Sequence, residues 1–138
     1  NLPLPLDDNT YNFSFSGLKS AVINLVHNEE QRNHEIRPND LCTSFQNRVV
    51  EIITKKTMKA VKEYNVKNLI VAGGVSANKG LRKRLQELCD ENNINLTVPD
   101  LKYCTDNATM IGAAGYYAYK LGRTSDLNFD AKATSKLH

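Results

Sequence analysis

The 138 residues hold 18 Lys and Arg against 15 Asp and Glu, a formal charge of +3, with 41% apolar and 24% charged residues. That is the profile of one ordinary globular domain, and its weak positive charge allows a nucleic-acid partner without arguing for one. No apolar run approaches the ~20 residues of a membrane span, and the first residues lack the basic and apolar regions of a signal peptide. Cys42, Cys89 and Cys104 are odd in number and far apart, which fits a reduced, cytoplasmic setting. Asn1 in place of Met suggests a fragment, a processed chain or a trimmed one.

In chain order, residues 1–10 read as an extended lead-in with Pro3, Pro5, Asp7 and Asp8 and no periodicity. A helix is predicted from about Leu18 to Asn28, with Ser16 as its cap and Leu18, Ala21, Val22, Leu25 and Val26 buried. A polar loop ends at Pro38. The longest helix follows, from about Asp40 to Tyr64, capped by Asn39 or Asp40. Cys42, Phe45, Val49, Ile53, Thr57, Ala60, Val61 and Tyr64 mark one face of it. Lys55, Lys56, Lys59 and Lys62 read as a solvated face near its C-terminal end.

Leu69 to Ala72 is a short apolar run, as expected of a strand covered on both faces. Gly73-Gly74 then turns the chain into a helix from about Ala77 to Asn92, with Ser76 as its cap and Leu81, Leu85 and Leu88 inside. A second strand, Asn95 to Val98, stops at Pro99. Two strands joined by one helix should be parallel with a right-handed crossover. The last helix runs from about Asn107 to Leu121 and ends at Gly122. Its buried stripe would be Met110, Ala114, Tyr117 and Leu121, and Ala108, Gly112 and Gly115 would let another backbone approach. Residues 124–138 read as a weakly ordered tail. Two parallel strands leave both edges open, so either the helices bury them or further sheet lies outside the chain; we expect the latter.

The Gly-Gly turn draws chemical interest. Lys79, Arg82, Lys83 and Arg84 crowd the first half of the following helix, while Glu87, Asp90 and Glu91 end it. Both placements oppose the helix dipole. An anion held at that end would explain the basic half, but a screened, solvated surface is the simpler explanation. Tyr103 to Asn107 follows the second strand at the same sheet edge, where open α/β sheets place ligands. Asp106 reads either as the cap of the last helix or as a carboxylate for a metal or a proton. His27, His34 and His138 are scattered, so no zinc site forms from this chain alone. No nucleophile elbow, dinucleotide fingerprint or P-loop is present.

Three segments, in this order, resemble the bacterial tRNA N6-adenosine threonylcarbamoyltransferase family, once labelled glycoprotease or O-sialoglycoprotein endopeptidase. They are Phe13-Ser14-Phe15-Ser16-Gly17-Leu18-Lys19, Val71-Ala72-Gly73-Gly74-Val75-Ser76-Ala77-Asn78 and Cys104-Thr105-Asp106-Asn107-Ala108-Thr109-Met110-Ile111. The likeness runs from about Tyr11 to Leu127. It implies an α/β fold that is part of an RNase H-like lobe of the actin, sugar kinase and Hsp70 ATPase superfamily, helix-rich with two parallel strands. The chain would be a partial C-terminal lobe with its core at about 11–122. The activity implied is transfer of threonylcarbamoyl from threonylcarbamoyl-adenylate to N6 of the adenosine beside the anticodon of tRNA. Residue by residue, Asn78, Gly73 and Gly74 match the substrate-binding positions, and Asp106 matches one ligand of a single iron or zinc ion. Lys19, Lys79, Arg82 and Lys83 are candidate tRNA contacts, and partner proteins of a threonylcarbamoyl-transfer complex are implied, with no membrane. The other metal ligands of the family are histidines this chain lacks, so the chain alone is expected to be inactive. An interaction module that docks partner helices is the alternative; a metalloendopeptidase is opposed by the missing H-E-x-x-H.

Overall fold

Two strands, β1 (Asn68–Ile70) and β2 (Asn95–Thr97), pair in parallel with Asn68 opposite Asn95, Leu69 opposite Leu96 and Ile70 opposite Thr97. This is seen in a computed structural model that describes residues 2–4 and 8–130. The expected parallel pairing holds, and one α-helix, α3 (Lys79–Glu91), lies in the crossover between the strands. Ahead of it lie α1 (Ser16–Gln31) and α2 (Pro38–Glu63); α4 (Ala108–Lys120) comes last. By packing the chain forms two units, residues 1–104 and 105–138.

In the first unit α2 is the central element, and it buries more than the one face its periodicity suggested. Ile52 joins Leu2 and Leu18 in a buried cluster, with Leu4, Ala21, Val22 and Val49 packed against it. Another side of α2 meets α3, whose Leu81, Leu85 and Cys89 are buried. Phe45 and Cys42, expected inside, are exposed. So is Leu25 of α1, and Tyr64 just past α2 is 69% exposed.

Lys56 departs furthest from expectation. It is buried, and its ammonium donates to the Asp8 carboxylate at 2.9 Å and to the carbonyls of Thr10 and Asn12 at 3.0 and 2.7 Å. Three donors meet three acceptors, which is how a buried ammonium is tolerated. Lys59 also donates to the carbonyl of Asn9. The part of the lead-in that the structure describes is therefore fastened to α2, although nothing periodic in it announced this. The Lys56 hydrogen bond, with help from Thr10, lowers the Asp8 carboxyl from 3.8 to about 2. Pro5, Asp7 and residues 131–138 of the tail lie outside the described residues.

The helix ends share one solution. After each helix the chain enters the left-handed region at Asn33, Asn65, Asn93 or Gly122, with φ of 55°, 50°, 54° and 68°. The following amide then donates back to a carbonyl five residues earlier: His34 to Glu29, Val66 to Val61, Ile94 to Cys89, Arg123 to Ala118. These are Schellman ends, with Asn standing in for Gly three times. Gly122 was legible as such an end; the three asparagines were not read. The starts were misplaced. Ser16 is the first residue of α1 and not its side-chain cap; its hydroxyl pairs with Ser14 at 3.0 Å. Pro38 opens α2 at its first turn, and neither Asn39 nor Asp40 caps it.

β1 is covered on one face only, against the expectation of two. Leu69 shares an apolar groove with Val61 and Tyr64, and α3 packs on β2. Among the described residues of the first unit none covers Ile70, which is 73% exposed. A two-stranded sheet with helices on one side cannot bury both faces. The second unit, described by itself, is α4 with the segments that flank it. No residue of α4 is buried, so the expected stripe of Met110, Ala114, Tyr117 and Leu121 does not form there.

Candidate functional site

β1 ends at Ile70, and the chain turns through Gly73 at φ 87°, a value that L side chains rarely adopt. A Cβ at Gly73 or Gly74 would meet nothing within 4 Å, so this backbone is open to an approaching group. A 3-10 turn, Gly74–Ala77, separates the glycines from α3. The expected cap moves with it. Ser76 lies buried in the turn, with no hydrogen-bond partner for its hydroxyl, and Asn78 is the N-cap. The Asn78 carbonyl oxygen accepts from the Leu81 amide at 2.9 Å, and its Nδ2 donates to Gln46 Oε1 at 3.1 Å. One amide hydrogen and one lone pair of Asn78 remain for a ligand.

Gln46 and Gly80 complete this arrangement, and neither was read as functional. A Cβ on Gly80 would come within 3.2 Å of Asn78 Oδ1 and 3.4 Å of Gln46 Nε2. Glycine there lets the α2 glutamine reach the cap. Gln46 stands 32 positions from Asn78, and no local pattern in the sequence links them. Behind the pair is a small cavity of about 200 Å³ lined by Phe45, Ile53, Val75 and Leu81.

The four basic residues of α3 separate into two kinds. Arg84 pairs with Glu87 at 3.1 Å across one helical turn, a solvated pair of small energetic weight. Arg82 is half-buried. Its Nε donates to the Ser76 carbonyl at 2.5 Å and its Nη2 to the Pro99 carbonyl at 2.7 Å and to Cys104 Sγ at 3.1 Å. Its guanidinium is thus engaged inside the chain. Lys79 and Lys83 stay exposed one turn apart, and Lys19 is exposed on α1. A cavity of about 560 Å³ lies between α2 and α3, and Lys83 is the candidate residue that lines it.

In the second unit Asn107, and not Asp106, caps α4: its Oδ1 accepts from the Met110 amide at 3.0 Å. Asp106 is exposed and has no capping duty. That leaves its carboxylate available as an oxygen donor. A single carboxylate cannot hold a transition metal, and the described residues contain no group of three or more His, Cys, Asp or Glu that could. Cys104 is buried, with its thiol donating weakly to the Asp100 carbonyl at 3.5 Å. Among the described residues no helix is long and apolar enough to cross a membrane.

Comparison with known proteins locates these residues in a family. Residues 1–113 match the family model for tRNA N6-adenosine threonylcarbamoyltransferase, TsaD. The proteins of that name from Staphylococcus saprophyticus, Staphylococcus haemolyticus and Staphylococcus aureus (strain bovine RF122 / ET3-1) are 59%, 55% and 54% identical to it. The matches cover 88%, 92% and 96% of this chain but only 36%, 37% and 39% of those relatives. The match includes the Gly73–Gly74 turn, Asn78 and Asp106. The chain belongs to the tRNA N6-adenosine threonylcarbamoyltransferase family.

Proposed function

We propose that this chain is part of the C-terminal lobe of an enzyme that transfers threonylcarbamoyl from threonylcarbamoyl-adenylate to N6 of the adenosine beside the anticodon of tRNA. The actin-like, RNase H-related fold of the family is part of the same proposal. The observation that carries it is family membership over residues 1–113, which takes in the open Gly73–Gly74 backbone and the Asn78 cap beside it. In the reaction the adenosine N6 attacks the carbamoyl carbon. A C–N bond forms, the C–O bond to the phosphate of AMP breaks, and N6 gives up a proton.

Each residue then has a part. Gly73 and Gly74 let the nucleotide lie against bare backbone. Asn78 orients it through the amide hydrogen and lone pair that Gln46 and Leu81 leave unused. Asp106 supplies one oxygen ligand to an iron or zinc ion whose other ligands come from outside the chain. When bound, such an ion would polarise the carbamoyl oxygen. Lys19, Lys79 and Lys83 contact tRNA phosphates; Arg82, engaged within the chain, leaves that group.

A second reading has its own observation. On α4 and at its C-cap Leu121, the side chains of Met110, Ile111, Tyr116, Tyr117, Tyr119 and Leu121 are 45–71% exposed. A helix so apolar and so bare fits a surface that docks partner proteins of a transfer complex. The two readings are compatible within one enzyme.

The site is tested in the full-length protein that carries this sequence. Asn78→Ala should weaken threonylcarbamoyl-adenylate binding more than tRNA binding, and Asp106→Ala should lose bound metal. Metal content unchanged in Asp106→Ala would remove that residue from the site. tRNA binding weakened more than adenylate binding in Asn78→Ala would overturn its role.

A further inference from the structure

We propose that Arg82 is a positioning residue whose guanidinium ties the turn after β1 to the loop after β2, and so sets the spacing of the two substrate-facing loops. The inference rests on the function proposed above for Gly73, Gly74, Asn78 and Asp106. The last backbone bond between the two strands' exits is from the Val71 amide to the Thr97 carbonyl, at 3.0 Å. Beyond it the chains diverge into the turn Gly74–Ala77 and the loop of residues 99–104. Among the hydrogen bonds of the described residues, Arg82 alone joins these two segments. It grips Ser76 on one side, and Pro99 and Cys104 on the other. Two residues after Cys104 comes Asp106.

The chemistry of the grip suits this role better than a phosphate contact. All three partners are neutral acceptors, two of them main-chain carbonyls, so the guanidinium fixes backbone and neutralises no charge. The planar fork sends N–H bonds from two nitrogens in set directions, which one lysine ammonium cannot reproduce. The Cys104 thiol continues the chain by donating to the Asp100 carbonyl while its sulfur accepts from Nη2. Arg82 starts from the first turns of α3, so the crossover helix clamps the loops at both of its neighbouring strand ends.

The test compares wild type, Arg82→Gln and Arg82→Lys in the full-length protein, with Lys83→Gln as the comparator for a phosphate contact. Both Arg82 variants should lose ~10–100-fold in kcat, as is usual when the groups that hold a site in place are removed. Their tRNA affinity should keep the wild-type salt dependence, whereas Lys83→Gln should lower the salt slope by about 1. A salt slope lowered in Arg82→Gln with kcat unchanged would overturn the proposal and return Arg82 to the phosphate contacts. Thiol titration with a disulfide reagent separates this from the proposed function, since it needs no activity. Exposed Cys42 should react fast in every variant, and buried Cys104 should join it once Arg82 is replaced. If the wild type transfers nothing but Cys104 is unmasked, the function fails and the clamp stands. If Cys104 stays masked in both variants, the clamp fails whatever the activity.

Discussion

The starts of α3 and α4 invite comparison, because both follow a β-strand by way of a short turn and both are capped by asparagine. The caps are near twins: Asn78 to Leu81 at 2.9 Å and Asn107 to Met110 at 3.0 Å. Their surroundings differ entirely. α3 buries Leu81, Leu85 and Cys89, its cap is held by Gln46, and Arg82 bolts it to two loops. α4 buries nothing and displays its aromatics. A helix start is thus set by a local rule, the side chain that satisfies the first free amides. Tertiary anchorage depends on there being a layer to pack against. The Gly73–Gly74 turn is assembled within the first unit, and the Asp106 segment belongs to the second.

The comparison breaks most visibly in the cores. Leu85 is 2% exposed, so Leu85→Ala should cost ~2–5 kcal/mol in urea unfolding. Tyr117→Ala on α4, at 67% exposure, should change stability by less than ~0.5 kcal/mol. Equal losses would mean that α4 is anchored as firmly as α3. The caps give a smaller contrast. Asn107→Ala should cost ~1 kcal/mol or less, the ordinary value of a cap. Asn78→Ala removes the same bond and the one to Gln46, and should cost ~1 kcal/mol more. Asn107→Ala also removes an exposed local bond, from Asn107 Nδ2 to the Thr105 carbonyl at 3.0 Å, so identical costs would show that the Gln46 bond is worth no more than that one.

The smallest effect is in pH. Asp8 has a folded value near 2, below its ordinary 3.8, so its contribution is present above about pH 4 and is lost as pH falls toward 2. Unfolding midpoints of the wild type should fall through that window more steeply than those of Lys56→Met. Parallel curves would detach Asp8 from Lys56.

How much of this the sequence revealed follows the same division. Local signals were legible: apolar runs bounded by Gly73 and Pro99 announced two strands, the single helix between them announced parallel pairing, and Gly122 announced a helix end. Contacts between distant residues were not. Lys56 sits in a run of lysines that reads as solvated, and only the tertiary course of residues 8–12 makes it buried. Arg82 looked like one of four surface cations until its partners, six to 22 positions away, were seen. With Ser76 as the expected cap, Asn78 falls in the first helical turn; the 3-10 turn moves the cap to Asn78 itself. Ile70 and the α4 stripe were read as buried because periodicity reports which face is apolar, and not whether anything covers it.

The central claim is that this chain supplies one part of a threonylcarbamoyl-transfer site. The most direct measurement is transfer of labelled threonylcarbamoyl from its adenylate to unmodified tRNA, by the full-length protein with the partner proteins proposed above and by the 138-residue chain alone. Label should appear on the adenosine beside the anticodon with the full-length protein and not with the chain by itself. Full transfer by the isolated chain, or a folded, metal-loaded full-length protein with its partners that leaves the tRNA unlabelled, would contradict it.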